Sequence, residues 1–535
     1  MTTTEPRATI VMTARERHSL TESAIESIVA NTAQPYRFIY ADCGAPAWLK
    51  ESLAANAARW GLDVARFDEP LWPHEARARL ASSIATPYTV YIDNDVDVEP
   101  GWLDTLIACA DETGAGVVGP LYLIGDGLRP AVIHMAGGKL LEVVEENGRV
   151  LDERHMLANC DPVEVADSLR RAPCDFVEYH CMLVRTDLLQ AVIDPRIRAV
   201  HEHVDTSLTA RQMGYTTWTD PASRMTYLGG AEYLLDDLPF FRARWKLADV
   251  QASVHVFSGK WGVIEDERSF GCTWEFARHH VAQVDPIRPE LHDRAEHHAE
   301  MAPAELCQTR SALLDLARER GYTHDELATI AHAYGLAHTL MDGGYRPCGR
   351  PFVNHAVGTA GVLVRYGFRA EVVAAGLLHA AYTHCRVEDA GVCAAVADVC
   401  RMLGGRDSAI ERRVRAYTVR DALLSGAAAG DASTLSIAEA EVVAMVAANE
   451  LDMHMSGEIR YCGRADLLPS TLTAQIGEVC ATLGVPGLHR TLMREQAREA
   501  AVPREWQTGL RESYRIDPER RAPVTMAVNV PAILP

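Results

Sequence analysis

The sequence predicts two folds in one chain, a mainly parallel α/β domain followed by an all-α domain. Three observations carry this. Short apolar runs alternate with amphipathic segments over the first 125 residues or so, periodicity is lost between 266 and 303, and strand signals nearly vanish after Ala304. A length of 535 residues suits two or three domains of roughly 100–200 residues each.

Residues 8–14, 37–43, 63–67, 88–95 and 115–124 are short, apolar and rich in Val, Ile and Tyr, as buried strands are. Between the first two, Ser19-x-x-Glu22 has the pattern of a capping box opening a helix. A second helix from about Trp48 to Trp60 meets Gly61, a natural stop. The βαβα order implies a parallel sheet with helices on its faces and ligands beyond the carboxyl ends of its strands. From 266 to 303, Pro286 and Pro289 interrupt the pattern, and the segment reads as a connection. His279, His280, His292, His297 and His298 cluster there without ligand spacing, so they read as solvated polar residues. Helical periodicity marks 305–320, 324–341, 352–366 and 370–383, and Pro523, Pro531 and Pro535 mark an extended tail. The expected boundaries are therefore 1–265, 266–303, 304–519 and 520–535.

Composition narrows the function. The chain is 48% hydrophobic and 23% charged, and a net charge of −21 without a basic stripe argues against nucleic acid as a partner. No apolar run approaches the ~18 residues of a membrane span, and the N-terminus lacks the features of a signal peptide. A cytoplasmic protein is expected. The 13 cysteines include no Cys-x-x-Cys pair and read as small buried thiols.

The sharpest chemical feature is Tyr88-Thr-Val-Tyr-Ile-Asp93-Asn94-Asp95-Val-Asp97, where a buried strand runs into acidic residues. Carboxylates two positions apart at a strand end can both reach the space above a sheet. Hard divalent cations take such oxygen ligands together with substrate phosphates. On spacing alone, an acidic turn before a helix near Trp102 serves equally well.

Further residues follow in a recognisable order. Arg77 stands 16 positions before Asp93, Ile10-Val-Met-Thr13-Ala-Arg15 forms a strand and turn, and Asp42 ends the second strand. With these, residues 6–265 resemble glycosyltransferase family 2, whose fold is the Rossmann-like glycosyltransferase A fold. The resemblance implies Thr13 and Arg15 against the nucleotide, Asp42 on the base and Arg77 helping to hold the nucleotide. It implies Asp93 at the ribose beside Asn94, and Asp95 with Asp93 on the Mn²⁺ or Mg²⁺ that clamps the diphosphate. The local alternatives are a surface ion pair for Arg77 and a turn former for Asp42.

Downstream, Asp175-Phe-Val-Glu178-Tyr-His180-Cys-Met-Leu-Val-Arg185 resembles the family's acceptor-lining segment, which implies acceptor-side roles for Glu178 and His180. His201-Glu202-His203-Val-Asp205 stands where the family usually reads Glu-Asp-x-Asp, and Gly214-Tyr215 begins 12 residues after Glu202, as in the family. His203 takes the place of the customary general base. Either its neutral imidazole, with an ordinary pKa near 6.5, removes the acceptor proton, or Glu202 does so while His203 orients the acceptor or the metal. Asp205 is expected on the acceptor side. Lys260-Trp261-Gly262 is similar to an ending seen in some relatives, and His255 is a candidate late metal ligand or a residue on the polar face of a strand. The reaction implied is an inverting single displacement from a nucleotide-sugar, with a UDP-sugar favoured, to an unidentified acceptor.

In the C-terminal half, Gly343-Gly-Tyr-Arg-Pro-Cys-Gly-Arg-Pro-Phe-Val-Asn-His355 and Ala374-Ala-Gly-Leu-Leu-His379-Ala380 resemble the HD superfamily of metal phosphohydrolases. The resemblance implies metal ligands at His355, His379 and a late acid, Glu450 or Asp452, but Ala380 replaces the defining aspartate. Hydrolysis is therefore not expected, and a regulatory or self-associating role is open to this domain. A degraded nucleotide-sugar sensor and a bifunctional transferase–phosphohydrolase are the alternatives to a plain transferase.

Overall fold

The computed structural model describes residues 5–67, 71–127, 131–146, 148–289, 298–384, 392–406, 408–420, 424, 432–462, 468, 470–501, 513–516 and 523–525. The chain forms two compact units, Met1–Val281 and Ala282–Pro535.

The first unit is built on β1 (Ala8–Thr13), β2 (Tyr36–Asp42), β3 (Leu62–Arg66), β4 (Tyr88–Asp93), β5 (Val96–Val98), β6 (Val117–Ile124), β7 (Val132–Met135), β8 (Gly138–Glu145), β9 (Gly148–His155), β10 (Ala172–Cys174), β11 (Cys181–Arg185) and β12 (Thr217–Tyr227). Its main sheet runs β10-β12-β6-β11-β4-β1-β2-β3, with β5 and β7 paired at β12 and β6. The β4-β1-β2-β3 half is parallel, whereas β11 is antiparallel to both β4 and β6. β8 and β9 form a separate hairpin. Helices α1 (Thr21–Asn31), α2 (Ala47–Trp60), α3 (Pro73–Leu80) and α4 (Trp102–Thr113) connect the early strands. β1 and β4 are mostly apolar and are buried along their whole length, as strands covered on both faces are. α2 stops at Gly61, whose φ of 62° lies in the left-handed region.

Four expectations are corrected. The capping box at Ser19 does not form, because Ser19 donates through N and Oγ to the Asp237 carboxylate and α1 begins at Thr21. Between α5 (Glu202–Gln212) and α7 (Glu267–Val284), residues 247–261 form helix α6 (Leu247–Trp261), not a strand carrying His255. The segment read as a connection begins with the 18-residue α7, whose Phe270 joins the first unit's core. Its amphipathic character is carried by aromatic side chains, which the proline-centred reading missed. Of the histidines there, His280 bonds to buried Glu16 and His298 is exposed, while His292 and His297 lie outside the described residues.

The second unit contains α8 (Arg310–Glu319), α9 (His324–Met341), α10 (Phe352–Arg365), α11 (Ala370–Leu378) and α12 (Ile437–Met455), with α10 packed on both α11 and α12. It is not wholly helical. Gly344–Tyr345, Tyr514–Ile516 and Pro523–Thr525 pair as a small antiparallel sheet, so part of the expected tail is a strand. Among the described residues, no helix is long and apolar enough to cross a membrane.

Candidate active site

Register assembles the site. β4 pairs with β1 so that Asp93 lies opposite Thr13, and Asp93 N donates to His180 O as the chain enters β11. Sheet pairing thus brings three distant stretches to one strand end. Arg77, buried on α3, donates from Nη2 to Thr13 Oγ1 and to Asp93 Oδ1, 3.0 Å each, with its guanidinium over Tyr179. The surface-pair alternative for Arg77 is therefore not what the fold contains. Arg15 Nε lies 3.9 Å from Asp93 Oδ2. Asn94 is fully occupied in local structure: Oδ1 accepts from Arg15 N, and Nδ2 donates to Arg17 O and Thr21 Oγ1. Asp42 Oδ1 accepts from Gly44 N and Ala45 N, the turn-forming arrangement.

Asp95 differs from all of these. Its side chain is 0% exposed, neither oxygen has a hydrogen-bond partner, and Arg17 Nε stands 3.7 Å from Oδ2. Burial pushes its carboxyl up to about 7, against the opposing pull of Arg17. Ligand atoms of Asp93, Asp95 and His180 lie within 4.8 Å of one another. Orphaned buried oxygens with this neighbour set fit a divalent cation. His255 is not among them: it is 80% exposed on α6 and bonded to Glu265. Beside the Asp42 turn, His18, Cys43, Gly44, Trp72, Arg244 and Lys246 line a cavity of about 400 Å³, a size ordinary for small-ligand pockets.

On the other side of Asp93, Glu178 meets three histidines. His134 Nε2 lies 2.9 Å, His155 Nε2 3.3 Å and His180 Nε2 3.4 Å from its carboxylate. Burial alone would raise this carboxyl, but His134 and His155 hold it well below the usual range. Burial lowers the pKa of His180 and of His155.

His201 caps α5 with a left-handed φ of 62°, and Glu202 and His203 follow. Both His201 and His203 face Glu153 of β9; His203 Nε2 is 3.3 Å from its Oε2. Burial opposes charge on His203, yet the Glu153 contact wins and raises it to about 9. Glu202 is half-buried, with a buried Oε2 that lacks a hydrogen-bond partner, and against the desolvation of its carboxyl Arg244 and His203 keep it below the usual carboxylate range. Asp205 is tied into the framework, accepting from Lys260 Nζ at 2.8 Å and Trp261 Nε1 at 2.7 Å. The Lys-Trp pair thereby fastens α6 to α5.

Sequence reading missed Glu153 and Glu16. Glu16 is fully buried and accepts from Tyr227, Tyr233, Trp245 and His280. An acid directly before Arg17 gave no signal of its own, because its partners lie more than 200 positions away.

In the second unit, His355 Nδ1 lies 2.6 Å from Asp452 Oδ2, and Arg350 donates to both Asp452 oxygens at 2.9 Å. Gly358 permits this, since a Cβ there would come within 1.7 Å of Asp452 Oδ1. The His355 and His379 rings are 5.1 Å apart, and His379 Nδ1 contacts Gly376 O. Burial lowers the pKa of both histidines. Glu450, two residues before Asp452, is only half-buried.

With this geometry in hand, residues 9–158 match the model of the family described as glycosyl transferase family 2. A family 2 glycosyltransferase domain thus occupies that stretch, within a mixed sheet consistent with the glycosyltransferase A fold. No curated protein matches the chain. Among solved structures it is similar to GalNAc-T7 with UDP, GalNAc and Mn²⁺, at 16% identity over 41% of this chain and 42% of that one, TM-score 0.34. It is also similar to S. aureus TarS, at 12% identity over 51% and 43%, TM-score 0.29. A third similarity is to S. aureus TarS 1–349 in complex with UDP-GlcNAc, at 13% identity over 61% and 86%, TM-score 0.30. The chain spans less than half the length of the first two.

Proposed function

We propose that the protein is a cation-dependent, inverting glycosyltransferase acting on a nucleoside diphosphate sugar. The observation that carries this reading is Asp95, a buried carboxylate without a hydrogen-bond partner at a strand end inside the family 2 stretch. Asp95, with Asp93 in reach, would hold Mn²⁺ or Mg²⁺; such an ion supplies charge neutralisation at the departing diphosphate, worth several kcal/mol. Arg77 fixes Thr13 and Asp93 in place, and Arg15 adds positive charge on the same side. The cavity beside Asp42 is where a base would lodge.

The proton acceptor in this reading is Glu202. His203, raised to about 9, carries its proton at neutral pH and so is a donor, not a base. Glu202 is ionised, has a free oxygen and begins α5, where the helix dipole favours an anion. His203 then orients the acceptor by donating a hydrogen bond. In the second unit, Arg350 and His355 already occupy the Asp452 carboxylate, and this reading gives that unit no part in the transfer.

Calorimetry with UDP and Mn²⁺ tests the donor site: UDP should bind only with the ion, and Asp95→Ala should abolish that dependence. Unchanged affinity in the variant removes Asp95 from the site. Binding of a UDP-sugar by the wild type without any turnover would instead leave a nucleotide-sugar sensor.

A further inference from the structure

Glu178 gathers imidazoles from separate parts of the fold. His134 comes from β7, His155 from the end of β9, and His180 from the turn before β11. The Glu178 backbone is fixed as well, with N donating to Tyr122 Oη at 3.1 Å and O accepting from the same hydroxyl at 2.9 Å. Hydrogen bonds alone leave this arrangement in conflict. His180 faces a carboxylate at each ring nitrogen, Asp93 Oδ2 at 3.1 Å from Nδ1 and Glu178 Oε2 at 3.4 Å from Nε2. A neutral imidazole has a single N–H. Whichever carboxylate receives it, the other nitrogen turns a lone pair toward an anion. A cation between Nε2 and Glu178 removes the conflict and leaves the proton on Nδ1, which lies 3.1 Å from Asp93 Oδ2 but makes no hydrogen bond as the site stands.

We propose that His134, Glu178 and His180 form a binding site for a borderline transition-metal ion of the Zn²⁺ type, separate from the cation position at Asp93 and Asp95, with the His180 ring between the two. Their donor atoms lie within 4.8 Å of one another, with His134 Nε2 and His180 Nε2 at 2.9 and 3.4 Å from Glu178 Oε2. Ligands about 2.0–2.2 Å from a tetrahedral zinc lie roughly 3.3 Å apart, so small adjustments suffice. Two imidazoles and one carboxylate select Zn²⁺ over Mg²⁺, whereas carboxylate oxygens suit Mg²⁺ or Mn²⁺. Three protein ligands leave a fourth position for water or a hydroxyl, the pattern of open zinc sites and not of closed structural ones. His155, on the other Glu178 oxygen, orients the carboxylate. The proposal does not depend on the transferase reading.

The test uses the full chain, stripped with a chelator and dialysed against Zn²⁺ or Co²⁺ without nucleotide. One zinc per chain is expected by elemental analysis, with the intense visible bands of low-coordinate cobalt in the Co²⁺ form. His134→Ala and Glu178→Gln should each weaken zinc binding by at least about tenfold, and Asp95→Asn should leave it unchanged. The zinc-induced rise in Tm gives a second readout. His134 is partly exposed, so its truncation spares the core and carries the test even if Glu178→Gln fails to fold. Absence of zinc from the wild type, wild-type affinity in His134→Ala, or loss of zinc in Asp95→Asn would each overturn the proposal, the last by assigning the ion to the Asp93–Asp95 carboxylates.

Discussion

Asp95 and Asp452 are both aspartates at 0% exposure, one in each unit, and they are treated in opposite ways. Asp452 is closed: Arg350 takes both oxygens and His355 shares one. Asp95 is open, with no hydrogen bond to either oxygen. A buried charge without partners is costly and persists where something outside the chain completes it. One that is fully bonded belongs to the framework. Burial depth alone does not distinguish a site from a scaffold; the accounting of oxygens does.

The strongest challenge to this contrast is kinetic. Glu202 also leaves an oxygen open, and Glu202→Gln should lower turnover by about 10²–10⁴-fold with donor affinity retained. At saturating donor and Mn²⁺, steady-state rates should fall above about pH 9, as His203 loses its proton. A rate that instead rises through pH 9 would make His203 the base. On the closed side, Arg350→Ala strands the Asp452 charge and should cost roughly 3–5 kcal/mol of stability, measured by denaturant unfolding. Joint replacement of Arg350 by Met and Asp452 by Asn should recover most of that loss. If Arg350→Ala is neutral, Asp452 is not closed in the sense described.

A comparable effect, opposite in sign, is expected at Asp95. Its folded-state pKa is raised from 3.8 to about 7, so the folded protein keeps a proton that the unfolded chain gives up. Stability from this group is full below about 3.8 and is lost as pH rises through 7. In metal-free buffer Asp95→Asn should therefore stabilise the protein by about 4 kcal/mol at pH 8 and by little at pH 4. Mn²⁺ should raise the wild-type Tm and leave the variant's unchanged. The smallest effect is at Asp42, where Ala removes one turn-forming acceptor and should cost about 1 kcal/mol. A large loss of UDP affinity in Asp42→Ala would add base recognition to its turn-forming role.

The parts legible in the sequence are those encoded locally. The early strands, the stop at Gly61 and the acidic end of β4 all follow from short-range pattern, and register then places Asp93 beside Thr13. The site's electrostatics were not legible, because they depend on partners from distant stretches. The His203 ring looked like an ordinary imidazole until Glu153, 50 positions earlier, came to face it and raised it to about 9. His255 failed for a related reason: Val254 and Val256 on either side suggest alternation, whereas the helix from Leu247 to Trp261 turns His255 to solvent.

Glu16 sets a limit on where the chain can be cut. Its carboxylate is held by donors from β12 to α7, the last being His280, and Ser269 and Phe270 of the same helix are buried. Trimming at residue 265 would strip away that helix, uncover Phe257 where Phe270 packs against it, and take one donor from the Glu16 carboxylate. A fragment intended to carry Asp93 and Asp95 in their folded setting has to extend to Val281 or beyond.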